Sequence, residues 1–210
     1  MLNKDYEIRI INVDTTEFRK KLLNYGAKLV NQKKLIPTLV FNNPKNKKNS
    51  YIRIRDEGDK IMMTSKTNIK NQIVTENEVE IDDFQSAIDL LHSLGCQEKY
   101  YNEKFRETWE ILGCTKIVFD SYPGLKEYIE IKCNSKDVYN YIMEKFDIKQ
   151  DDSNISTSDM YFNYYGINKN RKKEEKFTFK NSKKNLPKLI KKNYSTFNKI
   201  IKEQLQFLNK

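Results

Sequence analysis

Polar and apolar residues alternate along short segments of this chain, the period expected of β-strands with two different faces. Three of these strands are followed by apolar residues at helical spacing, and Gly26 and Gly95 follow two of the helices as stop signals. The pattern therefore predicts three strand–helix units: 6–13 with 15–25, 76–81 with 83–94, and 128–133 with 136–146.

Further alternating segments lie between these units and are bounded by turn residues such as Asn42-Asn43-Pro44 and Tyr122-Pro123-Gly124. They predict five more strands, at 34–41, 50–55, 60–66, 101–111 and 116–120. With about eight strands and few helices, closing the sheet removes the edges that an open sheet exposes. We predict an α+β fold, in which flanking helices surround a closed or nearly closed antiparallel β-barrel.

Nearly every predicted strand has one charged face and one apolar face. Arg53 and Arg55, for example, point away from Ile52 and Ile54. An open sheet with one solvated face would explain any single strand of this kind. Because the pattern recurs on almost all of them, we expect helices to cover the apolar faces and the charged faces to line a tunnel.

A tunnel lined by both signs of charge suits a particular ligand. Carboxylates gathered from several strands fit hard divalent cations such as Mg²⁺ or Mn²⁺, which take oxygen ligands. Arginine and lysine side chains fit phosphate oxygens, and arginine binds them in a bidentate manner. The residue types therefore predict a polyphosphate held between metal and basic side chains.

The net charge of +10 is concentrated in the C-terminal tail. Residues 166–210 carry 14 basic and 3 acidic side chains, whereas residues 1–165 carry 25 and 26. We predict a tunnel domain over 1–165, a basic linker over 166–187 and a basic amphipathic helix over 188–210. The tail has three interpretations: a helix docked on its own barrel or on a homodimer partner, an RNA-binding arm, or a membrane-surface helix.

The location of the protein is suggested by three features. The apolar runs are too short to span a membrane, and the charged N-terminus does not resemble a signal peptide. The three cysteines, Cys96, Cys114 and Cys133, are odd in number and far apart, which argues against a disulfide framework. We therefore expect a cytoplasmic protein.

Six short motifs follow one another between residues 3 and 165: Asp5-x-Glu7-x-Arg9, Tyr51-Ile52-Arg53-Ile54-Arg55, Thr64-Ser65-Lys66, Lys104-x-Arg106, Phe119-Asp120 with Tyr128-Ile129-Glu130-Ile131, and Ser158-Asp159-Met160-Tyr161. Their order resembles the CYTH domain family, also called triphosphate tunnel metalloenzymes. That family includes class IV adenylyl cyclases, thiamine triphosphatases and inorganic triphosphatases.

The resemblance implies a role for each matching residue. The metal ligands would be acidic: Asp5, Glu7 and Glu130, with Glu78 or Glu80 added to the set. The triphosphate would be held by basic side chains: Arg9, Arg53, Arg55, Lys66, Lys104 and Arg106. Asp120 and Arg9 are the implied catalytic residues, and Asp120 would position or deprotonate the attacking group. The implied cofactor is Mg²⁺ or Mn²⁺, and the implied partner is an ATP-like molecule or tripolyphosphate.

Three positions depart from the family pattern. Asp5 stands in place of glutamate, and Arg9 in place of lysine. Lys132 occupies the second acidic position of the Glu-x-Glu strand, a change of two charge units. Lys132 has three interpretations: it replaces the charge of one metal ion, it binds another phosphate oxygen, or it marks a loss of catalysis.

The resemblance leaves the reaction open. Hydrolysis of a nucleoside or inorganic triphosphate is our first interpretation, since it needs only a positioned water. The alternative is a class IV-type adenylyl cyclase that converts ATP to cyclic AMP and pyrophosphate. The second alternative is a module that binds a nucleotide or an RNA 5′-triphosphate without turnover, which Lys132 and the basic tail favour.

Overall fold

The computed structural model describes residues 6–45, 50–68, 74–111, 114–149, 155–169 and 176–209. Within them the strands are β1 (Tyr6–Ile10), β2 (Lys28–Asn42), β3 (Ser50–Asp56), β4 (Ile61–Asn68), β5 (Val74–Ile81), β6 (Glu98–Ile111), β7 (Cys114–Ser121), β8 (Tyr128–Cys133) and β9 (Lys176–Phe177). The α-helices are α1 (Thr15–Asn24), α2 (Phe84–Ser93), α3 (Lys136–Lys145), α4 (Thr157–Tyr165), α5 (Phe179–Asn185) and α6 (Tyr194–Leu208), and Leu186–Leu189 is a 3-10 helix. None of these helices has the length and apolar character needed to cross a membrane.

All the strands belong to one sheet, in the order β1-β8-β7-β6-β2-β3-β4-β5. Its pairs are antiparallel, except that the short β9 runs parallel to β6. The expected α+β class is confirmed. The closed barrel is not, because within the described residues no backbone hydrogen bonds join β1 to β5, and the strands number nine rather than about eight.

Side chains bridge the gap between the two ends of the sheet. Lys66 on β4 lies 3.4 Å from Glu7 on β1, and Lys132 on β8 lies 2.8 Å from Glu76 on β5. Contacts between strands so far apart in the sheet order require the sheet to curve until its ends face each other. Ion pairs therefore take the place of the hydrogen bonds that would close a barrel.

The three predicted strand–helix units are confirmed, and each of their helices begins at a polar N-cap. The side chains of Asp14, Asp83 and Ser135 accept hydrogen bonds from backbone N–H groups in the first turns of α1, α2 and α3. Such caps satisfy donors that have no partner within the helix. The caps fix where each helix starts and so which face it turns towards the sheet.

Helices cover the apolar outer face of the curved sheet, as the alternation predicts. Phe18 and Leu22 of α1 are buried together with Ile131 of β8 and Ile142 of α3. On the other side, α2 packs against β2 and β3 in a second buried cluster. The apolar faces of the strands are thus buried under the helices, and the charged faces point to the inside of the curved sheet.

The C-terminal region packs on the sheet and differs from the predicted linker and helix. Residues 166–187 include β9 and α5, and Phe179 of α5 is completely buried against Phe105. The last helix begins at Tyr194 rather than at residue 188, because Asn193 adopts a left-handed conformation (φ 58°). Phe197 and Ile201 then bury one face of α6 in the same cluster.

Candidate functional site

A cavity of about 200 Å³ lies inside the curve of the sheet, lined by side chains from β1 to β8. Of the thirteen candidate residues, eleven line it: Glu7, Arg9, Arg53, Arg55, Lys66, Glu78, Lys104, Arg106, Asp120, Glu130 and Lys132. The alternation of each strand explains the arrangement, since the apolar neighbours Ile54, Ile129 and Ile131 are fully buried on the opposite face.

Two candidate metal ligands are not found there. Asp5 lies outside the described residues. Glu80 pairs with Met62 near the end of β5 and is exposed, and it does not line the cavity. Of the β5 acids, it is Glu76 and Glu78 that line the cavity.

Asp120 is the most enclosed charged group of the cavity, with none of its surface exposed. Arg106 binds it in a bidentate manner, with Nε 2.7 Å from Oδ1 and Nη2 2.6 Å from Oδ2. Lys104 Nζ donates to Oδ2 over 2.6 Å. Burial alone would raise the pKa of Asp120, but the charges of Arg106 and Lys104 outweigh it and hold the pKa well below its usual value.

The pKa of Lys104, the lysine that binds Asp120, is lowered as well. Burial lowers the pKa of its ammonium group, and the neighbouring Arg106 lowers it further, to about 7, against the attraction of Asp120. Arg106 already engages both oxygens of Asp120, so the carboxylate is shared. Lys104 is therefore a cation that titrates near neutral pH.

Arg9 on β1 forms an ion pair with Glu130 on β8, and both side chains line the cavity. Its Nη2 donates to Glu130 Oε2 over 2.7 Å, and its Nη1 donates to the carbonyl oxygen of Ile155, just before α4. Burial would raise the pKa of Glu130, but the charge of Arg9 lowers it to about 2. Glu130 is consequently ionised and already carries one charge-assisted hydrogen bond.

Glu76 is a cavity residue that the sequence analysis left out of the candidate set. Arg53 Nη2 and Lys132 Nζ each lie 2.8 Å from its carboxylate, and Lys66 Nζ lies 3.6 Å away. Burial opposes ionisation, yet Lys66 and Arg53 lower the pKa of Glu76 to about 2. The signal that could have found it is its position two residues before Glu78 on the same face.

Tyrosines are a second group that sequence reasoning missed. Four of them line the cavity: Tyr51, Tyr100, Tyr122 and Tyr128. Burial and the charge of Asp120 raise the pKa of Tyr122 to about 12, so its hydroxyl is protonated at neutral pH. Lys116 and Asn102 complete the polar lining between these rings.

Three buried donors in the cavity wall are not satisfied by the protein. The Nε–H groups of Arg9, Arg53 and Arg55 are shielded from solvent and have no hydrogen-bond partner among the described residues. Buried polar groups in folded proteins are nearly always paired, because an unmade hydrogen bond costs about 1–3 kcal/mol. All three side chains line the cavity, but these particular nitrogens do not touch its open space.

The acids of the cavity are dispersed among the basic groups. Among the described residues, no three acidic, histidine or cysteine side chains converge closely enough to form a metal site by themselves. Glu7 and Glu130 lie on neighbouring strands, where Glu7 pairs with Lys132, and Arg9 with Glu130, in the register of β1 and β8. The two carboxylates are thus diagonal neighbours on one face.

The model of the CYTH domain family matches residues 3–150, more than two thirds of the chain. This chain belongs to the CYTH domain family. The resemblance to this family is confirmed, and five of the six motifs lie inside the matched range, whereas Ser158-Asp159-Met160-Tyr161 lies beyond it. CYTH proteins of the tunnel type are metal-dependent. The segment 151–210, which includes α6, lies outside the matched range.

Solved structures similar to this CYTH protein share its fold. A conserved hypothetical protein from Pyrococcus furiosus is 20% identical, with a TM-score of 0.57 over 70% of this chain and 92% of its own. A Vibrio parahaemolyticus protein described provisionally as an adenylate cyclase is 11% identical, with a TM-score of 0.59 over 70% and 90%. A Pyrococcus horikoshii protein is 24% identical, with a TM-score of 0.51 over 68% and 86%. A comparison with curated proteins finds no match.

Proposed function

We propose that this CYTH protein binds a triphosphate substrate, a nucleoside triphosphate or inorganic triphosphate, in the cavity and hydrolyses it with a divalent metal ion. The observation that carries the proposal is the lining of the cavity by eight lysine and arginine side chains, which come from six strands. Phosphate oxygens are strong acceptors that match the planar guanidinium group. A bound triphosphate would contact basic side chains from several strands at once.

The charge of the cavity supports the same ligand. Eight cationic and five acidic side chains line it, which leaves an excess of three positive charges when all are ionised. The five acids do not neutralise the wall, although they hold the basic groups in place. A polyanion bound in this enclosed space would be attracted more strongly than at an exposed surface.

Asp120 is best explained as a positioning residue. A general base must accept a proton readily, and a carboxylate whose pKa is held far below its usual value does so poorly. Both of its oxygens also accept hydrogen bonds, from Arg106 and Lys104. We therefore assign to Asp120 the task of fixing these two cations so that they face the phosphate.

Arg9 is proposed to contact the substrate directly. Glu130 and the carbonyl of Ile155 each accept one hydrogen bond from its two terminal nitrogens, and the second N–H of each of these nitrogens is left for a phosphate oxygen. Arg9 would stabilise negative charge that develops on that oxygen as the terminal phosphate is transferred to water.

Glu7 and Glu130 fit the metal that the family uses. Mg²⁺ typically takes one or two carboxylates from the protein and its other ligands from substrate phosphates and water, so two diagonal carboxylates suffice without a three-acid cage. When bound, the ion would neutralise phosphate charge and polarise the bond to the terminal phosphate.

A binding module without turnover is the second candidate. It is favoured by Lys132, which gives the cavity a cation where the family has an acid, and by the absence of a metal cage among the described residues. Such a module would bind tripolyphosphate with or without metal.

One assay separates these functions from the cyclase. ATP, GTP and tripolyphosphate are each incubated with the protein, with and without Mg²⁺ or Mn²⁺, and the products are resolved as phosphate, pyrophosphate and cyclic nucleotide. We expect metal-dependent release of phosphate. Pyrophosphate with cyclic AMP would instead establish the cyclase, and ligand binding without any product would establish the binding module.

A further inference from the structure

The loop that follows Asp120 forms one wall of the cavity and is held from its other side by the C-terminal helix. This loop, Tyr122-Pro123-Gly124-Leu125, is the first part of the connection between β7 and β8. Tyr122 lines the cavity, and Lys104 Nζ lies 5.8 Å from the centre of its ring. A displacement of the loop would therefore move a residue of the cavity wall and the strand end that carries Asp120.

Gln204 of α6 makes the direct connection. Its Oε1 accepts a hydrogen bond from the Gly124 N–H over 2.7 Å, and its Nε2 donates to the carbonyl oxygens of Tyr122 at 3.1 Å and Leu125 at 3.2 Å. Gln204 is only 8% exposed, which is unusual for a glutamine. One buried amide thus satisfies backbone groups of three of the four loop residues.

Packing and two tyrosine hydroxyls reinforce this connection. Gly124 has a φ of +74°, and a Cβ there would lie 2.1 Å from the ring of Phe197, so the backbone of Gly124 packs directly against that ring. Tyr161 donates to the carbonyl of Pro123 over 2.6 Å, and Tyr165 donates to that of Gly124. The loop is consequently fixed by residues of α4 and α6, which both lie outside the range matched to the family.

We propose that α6 is a working part of the triphosphate site and that Gln204 is a positioning residue, which fixes the 122–125 loop and through it Tyr122 and Asp120. This inference rests on the proposed function, since it states how an added segment serves the same cavity. The affinity of the site for triphosphate would then depend on α6, a helix outside the range matched to the CYTH family.

The test compares Gln204→Leu with Gln206→Leu. The first removes three hydrogen bonds at nearly constant volume, and the second makes the same change at an exposed position two residues along the same helix. Hydrogen exchange of the peptide spanning 122–125 reports on the loop, and calorimetric titration with tripolyphosphate reports on the cavity. Gln204→Glu serves as a second variant, because it keeps the acceptor for Gly124 and loses the donor to the two carbonyls.

We expect Gln204→Leu to speed exchange at the loop and to weaken tripolyphosphate binding by roughly fivefold or more, with Gln206→Leu unchanged in both. The dissociation constant is measured on folded protein, so a contact that served stability alone would lower the melting temperature and leave the constant unchanged. That result, or loop exchange equal to wild type, would overturn the proposal. If Gln204→Leu does not fold, the loop exchange rate and the tripolyphosphate dissociation constant of Gln204→Glu test the proposal in its place.

Binding of tripolyphosphate to the wild type and to the variants distinguishes a failure of the proposed function from a failure of the role of Gln204. Wild-type protein that binds no tripolyphosphate would overturn the proposed function and the role of Gln204 with it. Wild-type binding that survives unchanged in a variant with a mobile loop would overturn the role of Gln204 alone.

Discussion

Lys132 Nζ on β8 lies 2.8 Å from the carboxylate of Glu76 on β5, an ion pair that joins strands at opposite ends of the sheet order. The family pattern has an acid where this chain has Lys132. The substitution therefore does two things at once: it adds a cation to the cavity and it supplies a bridge across the open side of the sheet. Mutations of Lys132 and of Glu76 should separate the effect of the added cation from that of the bridge.

Lys132→Glu should make the protein more responsive to divalent metal. The change places a carboxylate beside Glu7, its partner in the register of β1 and β8, and near Glu130. Three carboxylates then suit Mn²⁺ better than two. We expect Mn²⁺ to raise the melting temperature of the variant more than that of wild type. Lys132→Gln, which removes the cation without adding an acid, should show no such gain, and equal shifts in all three proteins would contradict the interpretation.

Glu76→Gln should destabilise the protein at neutral pH but not at pH 2. The pKa of Glu76 is lowered to about 2 in the folded protein, so its ionised form stabilises the fold above the ordinary pKa near 4.5. This contribution, about 3 kcal/mol at 1.4 kcal/mol per pKa unit, is lost as pH falls from 4.5 through 2. Urea unfolding across this range should show the two proteins converging, because protonated glutamate resembles glutamine. A constant difference would show that Glu76 does not act through its charge.

Lys104 should take up a proton when tripolyphosphate binds at pH 8. With a pKa of about 7, the free lysine is charged below neutral pH and mostly uncharged at pH 8, and a bound polyanion favours the charged form. Titration calorimetry in two buffers of different ionisation enthalpy measures the protons exchanged. The wild type should take up as much as about one proton more than Lys104→Met, since ligand ionisation is common to both. Equal proton numbers would place the titrating group elsewhere.

Gly124→Ala should destabilise the protein more than Gly95→Ala. Both glycines have positive φ, so alanine meets similar backbone strain of about 1–2 kcal/mol at either site. Nothing lies within 4 Å of a Cβ at Gly95, whereas a Cβ at Gly124 would clash with Phe197. The overpacking adds about 1–3 kcal/mol at Gly124. Unfolding of the two variants by denaturant measures the difference, and equal losses would argue against tight packing of α6 on the loop.

The period of two along each strand was enough to predict much of this molecule. It placed β8 at 128–133 to the residue, and it assigned Arg53 and Arg55 to the charged inner face, where they lie. Alternation encodes the face of a single strand, because each side chain points opposite to its neighbour. The candidate residues of the cavity wall follow from that rule and from the order of the motifs.

Some features of the cavity could not be predicted from the sequence, because they depend on contacts between strands that are far apart in the chain. The role of Glu76 arises because the sheet curves until β5 meets β8, and no local pattern encodes that curvature. The confinement of Asp120 follows from its register opposite Arg106. The segment 166–187 is low in hydrophobicity, yet a few apolar residues such as Phe179 are enough to anchor it on the sheet.

The most direct test of the central claim is calorimetric titration of tripolyphosphate into wild type, Arg53→Gln and Arg19→Gln. Arg53 lines the cavity, whereas Arg19 binds Glu107 and Glu127 and does not line it. We expect one site in wild type and in Arg19→Gln, and affinity at least about tenfold weaker in Arg53→Gln, the loss typical of a charge-assisted hydrogen bond. Wild-type protein without binding, or Arg53→Gln with unchanged affinity, would contradict the account.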